Sequence, residues 1–125
     1  MNIDEKIRLI RQVGEEIVTE DELKELLEAK RNPIAYDGFE PSGTNIHIAQ
    51  GLLRAININK MSEAGCKFKV LVADWHAWAN NKMGGNLESI QKVGRYLIEV
   101  WKACEMDIDN VEFVCVSELV NDDEY

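Results

Sequence analysis

The sequence predicts an α/β fold: the first half of a doubly wound parallel sheet, with helices ahead of it. Apolar runs at 34–36, 68–73 and 111–116 alternate with helix-period stretches at 47–64 and 87–104. Strand, helix, strand, helix, strand in that order implies parallel pairing through right-handed crossovers. The strands read as continuous apolar runs, which suits a sheet covered on both faces.

Residues 3 to 17 carry Ile3, Ile7, Ile10, Val13 and Ile17 at steps of 4, 3, 3 and 4, the period of one amphipathic helix. Thr19 followed by Glu22 fits a capping box, and Leu23, Leu26 and Leu27 give a second, short helix its apolar face. Both precede the first strand and are expected on the outside of the core. Residues 1–32 are therefore read as an N-terminal helical segment and 33–125 as the half-sheet domain.

Ile34-Ala35-Tyr36, after Pro33, reads as a buried strand ending at Gly38, and Phe39 to Asn45 as a loop of turn residues. His47 to Ala64 is helical in pattern, with Gly65 as its C-cap. Phe68 to Ala73 is the second strand, ending at Asp74. Residues 75–82 read as one or two helical turns, and Met83-Gly84-Gly85-Asn86 as a flexible turn. Leu87, Ile90, Val93, Leu97, Trp101 and Cys104 step by 3, 3, 4, 4 and 3, the core stripe of a long helix that Ile98 and Val100 widen. Val111 to Val116 is the third strand, and Ser117 is placed to N-cap a further helix.

A length of 125 residues holds one domain, and 46% hydrophobic with 30% charged residues is too apolar for disorder. Pro33 and Pro41 lie close together and mark one irregular region, not a domain boundary. No apolar run approaches the roughly 20 residues of a membrane span, and the N-terminus lacks the basic and apolar regions of a signal peptide. The cysteines, Cys66, Cys104 and Cys115, are odd in number and widely spaced. That excludes a complete disulfide framework and a CxxC zinc knuckle, and suits reduced, buried thiols in a cytosolic protein. No metal ligand is assigned. With 14 Lys and Arg against 23 Asp and Glu the net charge is −9, which excludes a broad basic face for nucleic acid; any such contact must be local.

In doubly wound sheets ligands bind outside the carboxyl ends of the strands, so candidates follow Tyr36, Ala73 and Val116. Gly38 and Gly43 let backbone approach a ligand. The loop runs into a helix N-terminus, where free amides and the macrodipole favour anions. His47 and Gln50, three apart on the first turn, can face one ligand and suit phosphate oxygens. A turn followed by a surface histidine accounts for the same spacing. Neither GxxxxGK[ST] nor GxGxxG occurs, which excludes two common nucleotide motifs.

Tyr36-Asp37-Gly38-Phe39-Glu40-Pro41-Ser42-Gly43, followed by His47-Ile48-Ala49-Gln50, resembles the start of the catalytic domain of tyrosyl-tRNA synthetases, class I aminoacyl-tRNA synthetases, in their archaeal and eukaryotic branch. Leu71-Val72-Ala73-Asp74-Trp75-His76-Ala77 resembles the Leu-Ala-Asp-x-His-Ala stretch of the same family. The motifs agree in order and separation, and the resemblance covers nearly the whole chain. It implies the first half of a Rossmann-like catalytic domain, with ATP and Mg2+ used to activate tyrosine to tyrosyl-adenylate for transfer to tRNA(Tyr). It further implies a cytoplasmic location, no membrane, and a homodimer for the full-length form. By the family pattern Tyr36 would hydrogen-bond the hydroxyl of substrate tyrosine from the pocket floor. Leu71, Ala73 and His76 would line the tyrosine side-chain pocket. Gly38, Glu40, Gly43, His47 and Gln50 would line the ATP site, with His47 and Gln50 in the catalytic places of the two motif histidines. Without the family, Tyr36 reads as a core tyrosine, His76 as a packed histidine between Trp75 and Trp78, and Asp74 as a group that orients loop backbone. Trp75, Trp78 and Trp101 read mainly as packing.

The sequence departs from the family in three places. The usual Gly-His ending of the motif is Ala49-Gln50, and Gln50 can donate to phosphate but carries no charge. Three residues separate Gly43 from His47 where the family has two. The second half-fold, the Lys-Met-Ser-Lys-Ser-like loop and the anticodon-binding domain lie beyond the chain; Lys60-Met61-Ser62 sits inside the first crossover helix and is not that loop. The 125 residues alone are therefore expected to be inactive in tRNA charging. Two other readings stand beside this one: a non-catalytic binding module that keeps the half-fold, and a tryptophan-specific relative, against which Tyr36 and the Phe-Glu-Pro-Ser-Gly loop argue.

Overall fold

Two capping boxes open the chain in the computed structural model, which describes residues 1–123. Asn2 Oδ1 accepts from the Glu5 N–H and the Glu5 carboxylate accepts from the Asn2 N–H, both at 2.9 Å, starting α1 (Ile3–Ile10). Thr19 and Glu22 repeat the exchange at 3.2 and 3.3 Å and start α2 (Glu20–Ala29), as their spacing predicts. Each box satisfies amides that the first helical turn leaves without partners. The single helix expected over 3–17 stops at Ile10. Gln12 and Val13 close its end with short bonds to Leu9 and Ile10, and Gly14, a poor helix former, follows. Ile17 nevertheless joins the apolar cluster of Ile7, Ile10, Leu27 and Ala64, reaching it from a non-helical segment.

The sheet comprises β1 (Ile34–Phe39), β2 (Lys67–Val72) and β3 (Val111–Cys115), all parallel in the order β1-β2-β3. β1 runs three residues past Tyr36, because Gly38 still pairs with Leu71 and Phe39 with Val72. The first crossover is a π-helical turn, Ala49–Leu53, leading into α3 (Arg54–Glu63); regular α-helix therefore starts seven residues later than expected from His47. Gly65, at φ +95°, ends it as predicted. The second crossover holds α4 (Asp74–Ala79), a short 3-10 turn over Lys82–Gly85, and α5 (Leu87–Ala103). A short α6 (Val116–Leu119) follows β3.

α3 and α5 pack on one face of the sheet. Ala55 and Ile58 meet Phe68, Val70, Val93, Leu97 and Trp101 there. Trp101 lies edge-on to Phe39 at 4.7 Å and stacked on Phe113 at 6.1 Å. The opposite face carries Ile34, Tyr36 and a Lys69–Glu112 ion pair at 3.2 Å, all exposed. Burial on both faces, expected from the strand sequences, is therefore not what the described residues show. β2 alternates Lys67, Phe68, Lys69 and Val70, and its lysines take the open side, the pattern of one-sided cover. Two further expectations change. Trp75 and Trp78 are exposed, so only Trp101, at 1% exposure, is core packing. Ser117 lies inside the first turn of α6 instead of capping it, and its polar groups serve Asp74.

Candidate functional site

At the carboxyl ends of β1 and β2 the chain leaves the sheet through Glu40 to Ile46 and enters the turn at His47. Pro41 is buried against α5, where Gly94 makes room: a Cβ there would sit 3.1 Å from Val72 Cγ1 and 3.5 Å from Pro41 Cγ. Glu40 is fastened to the end of α4 by a 2.6 Å bond from Asn80 Nδ2. The loop thus rests on helix packing at one point and on a side-chain bond at the other.

A cleft of about 700 Å³ opens between this loop and α5, and Gly38, Glu40, Gly43 and Gln50 all line it. These are four of the five residues expected at a nucleotide site; His47 is not among the lining residues. His47 Nδ1 accepts from the Ala49 N–H at 3.2 Å, and the His47 N–H donates to Gln50 Oε1 at 3.0 Å. As an acceptor at Nδ1, the neutral imidazole keeps its proton on Nε2, which remains a donor. The Gln50 amide nitrogen is likewise left to donate. The Gln50 carbonyl accepts from Trp101 Nε1 at 2.7 Å, tying the turn to the core.

The residues expected around an amino-acid side chain are arranged differently. Tyr36 stands 84% exposed on the open face of the sheet. Leu71 shares that face one strand over, since Tyr36 pairs with Lys69 and Gly38 with Leu71. Ala73 follows β2 as the residue before α4, and His76 is exposed on α4 and is not a core histidine. Tyr36 also lines a second cleft of about 470 Å³ beside β1, with Asp37, Leu53, Arg54 and Asn57.

Asp74 is fully buried and accepts from four donors: Trp75 N–H at 3.0 Å, Gln91 Nε2 at 3.1 Å, Ser117 N–H at 3.1 Å and Ser117 Oγ at 2.5 Å. Burial pushes its carboxyl up, but the bonds from Ser117, Gln91 and Trp75 outweigh it and hold it below the usual carboxylate range. Asp74 thereby joins the ends of β2 and β3 to α5, more than the orientation of loop backbone expected of it. Burial, with Asp74 and Glu118 nearby, pushes the Cys115 thiol up, and burial does the same to Cys66; both stay protonated at neutral pH. No helix among the described residues is long and apolar enough to cross a membrane.

Sequence reasoning missed Arg54. It lies one helical turn beyond Gln50 and lines both clefts. Its Nη1 pairs with Asp37 Oδ2 at 3.1 Å and donates to the Gly38 carbonyl at 3.4 Å. Its guanidinium lies 5.5 Å from the Trp101 ring and 5.9 Å from that of Phe39. The four-residue step from Gln50 was the available signal, because residues so spaced share a helix face.

The family described as "tRNA synthetases class I (W and Y)" matches residues 28–125. The chain is 53% identical over 119 residues to the cytoplasmic tyrosine–tRNA ligase 1 of Arabidopsis thaliana, covering 95% of this chain and 31% of that protein. Among solved structures it is similar to the Leishmania major tyrosyl-tRNA synthetase in complex with tyrosinol, with TM-score 0.93, 55% identity, and 97% of this chain against 18% of that one. The tyrosyl-tRNA synthetase of Aeropyrum pernix matches with TM-score 0.90 and 36% identity over 100% of this chain and 38% of its own. The chain thus spans between 18% and 38% of the length of these relatives. The match over residues 28–125, the Rossmann-like half-sheet and the cleft at its strand ends agree: the chain belongs to the class I tRNA synthetases of the tryptophan and tyrosine group.

Proposed function

We propose that the chain forms the amino-terminal half-fold of a tyrosine–tRNA ligase, with 1–32 a helical appendage and 33–125 the first half of the catalytic domain. The observation that carries this reading is the meeting of Gly38, Glu40, Gly43 and Gln50 in one cleft at the ends of parallel strands. In the reaction a tyrosine carboxylate oxygen attacks the α-phosphorus of ATP, the bond to the β-phosphate oxygen breaks, and pyrophosphate leaves. The 3′-terminal ribose hydroxyl of tRNA(Tyr) then attacks the carbonyl carbon and AMP departs. The protein's part is positioning and charge stabilisation. Gly38 and Gly43 admit the nucleotide to the backbone and the Gln50 amide donates to phosphate oxygens, while His47, which does not line the cleft, would have to turn toward it to add an Nε2 donor. Mg2+ bound to ATP would offset part of the phosphate charge, with no ligand from this chain assigned to it. Tyr36 reads the substrate hydroxyl, and Leu71, Ala73 and His76 line the side-chain pocket. The full-length form works as a homodimer in the cytoplasm.

ATP–pyrophosphate exchange with each amino acid, run on this chain and on its full-length form, tests the proposal. Tyrosine-dependent exchange by the full-length form alone is expected. Exchange with tryptophan in its place would overturn the substrate, and no exchange with any amino acid would point to the non-catalytic module.

A further inference from the structure

Positive charge is scarce in the 700 Å³ cleft, although a triphosphate brings several negative charges. Gln50 is neutral, His47 lies outside the lining, and Glu40 contributes a carboxylate. Arg54 is the one Lys or Arg lining the cleft among the described residues. Its side chain is 24% exposed, with its guanidinium over the rings of Trp101 and Phe39. Such a guanidinium is held in orientation and only partly screened by solvent. Asp37 lines the cleft beside β1 and not this one, so the ion pair approaches from the far side. Nη1 makes both the Asp37 and the Gly38 contact, and a guanidinium has further donors on its other nitrogens.

We infer that Arg54 is the phosphate-binding cation of this cleft, supplying the charge that Gln50 lacks, and that Asp37 holds it in place while partly neutralising it. This rests on the reading of the cleft as the ATP site. It makes the two members of one ion pair act in opposite directions on anion binding, which a purely structural pair would not do.

The test is titration of ATP, inorganic triphosphate and adenosine into the full-length protein, followed by calorimetry and by the amide resonances of Gly38, Gly43 and Gln50. Arg54→Met should weaken triphosphate and ATP about tenfold to a hundredfold, the span of a lost charge-assisted contact, and leave adenosine unchanged. Arg54→Lys, which keeps the charge, should restore most of the loss. Asp37→Asn should tighten triphosphate. Wild-type triphosphate affinity in Arg54→Met would overturn the inference while leaving the ATP site intact. So would a parallel loss of adenosine and triphosphate in Arg54→Met and Asp37→Asn, which marks a strut. If Arg54→Met does not fold, Asp37→Asn decides: tighter binding supports the inference, and equal or weaker binding overturns it. If none of the ligands moves the three amides in the wild type, the ATP reading and this inference fall together.

Discussion

Trp101 Nε1 donates to the carbonyl oxygen of Gln50 at 2.7 Å, so the most buried ring of the core also holds the turn at the mouth of the cleft. The two residues are 51 positions apart, and the bond links the π-helical turn to α5. Packing and site geometry are therefore coupled through one indole.

Replacing Trp101 by Phe keeps an aromatic ring and removes the donor. An acceptor left without its partner costs about 1–3 kcal/mol, and the smaller ring adds a void. We expect urea unfolding to show a loss of at least about 1 kcal/mol, together with shifted amide resonances at Gln50 and Gly51. An unshifted turn would show that the bond does not position it.

Asp74 sets an acid limit on the fold. Its folded pKa lies below its ordinary value, so its contribution is fully present above the unfolded pKa of roughly 3.9 and is lost as pH falls through the folded value. Asp74→Asn should destabilise the chain by about 1–3 kcal/mol near neutral pH and flatten the fall in stability below about pH 4. Stability against pH, measured for both forms by chemical unfolding, checks this; parallel acid limbs would assign the pH dependence elsewhere.

Gly94 is needed for its lack of a side chain. Gly94→Ala places a methyl 3.1 Å from Val72 Cγ1 and against Pro41, both firmly packed. Overpacking of this kind costs about 1–3 kcal/mol. The melting temperature should fall and the amides from Glu40 to Gly43 should move, whereas unchanged loop resonances would mean that the helix yields instead.

Tyr36, proposed to read the substrate hydroxyl, allows function to be tested apart from fold. At 84% exposure its hydroxyl supports little of the structure, so Tyr36→Phe should leave stability within about 0.5 kcal/mol. A site that hydrogen-bonds a substrate hydroxyl can reject the analogue lacking it by about 10⁴ or more. In the full-length form Tyr36→Phe should therefore narrow the preference for tyrosine over phenylalanine, measured by pyrophosphate exchange. An unmoved ratio would remove Tyr36 from the pocket.

What the amino-acid sequence determined by itself is mostly local. The Thr19–Glu22 capping box, the left-handed end at Gly65, the stripe from Leu87 to Trp101 and the parallel strand order depend on neighbours within a few residues or on the succession of elements. The stretch from Gly38 to Gly43 was legible for the same reason, its residue types being written in one short segment, although Gly38 and Phe39 stay in β1 and Gln50 lies in a π-helical turn. Tertiary structure alone decided that Ser117 serves Asp74 instead of a helix end and that Tyr36 stands on the exposed face of the sheet. It also brought Arg54 to Asp37 and to the Trp101 ring. Most of these contacts join residues 17 to 47 positions apart. They exist because strand register and crossover packing bring distant side chains within bonding distance, and no periodicity along the chain encodes that approach.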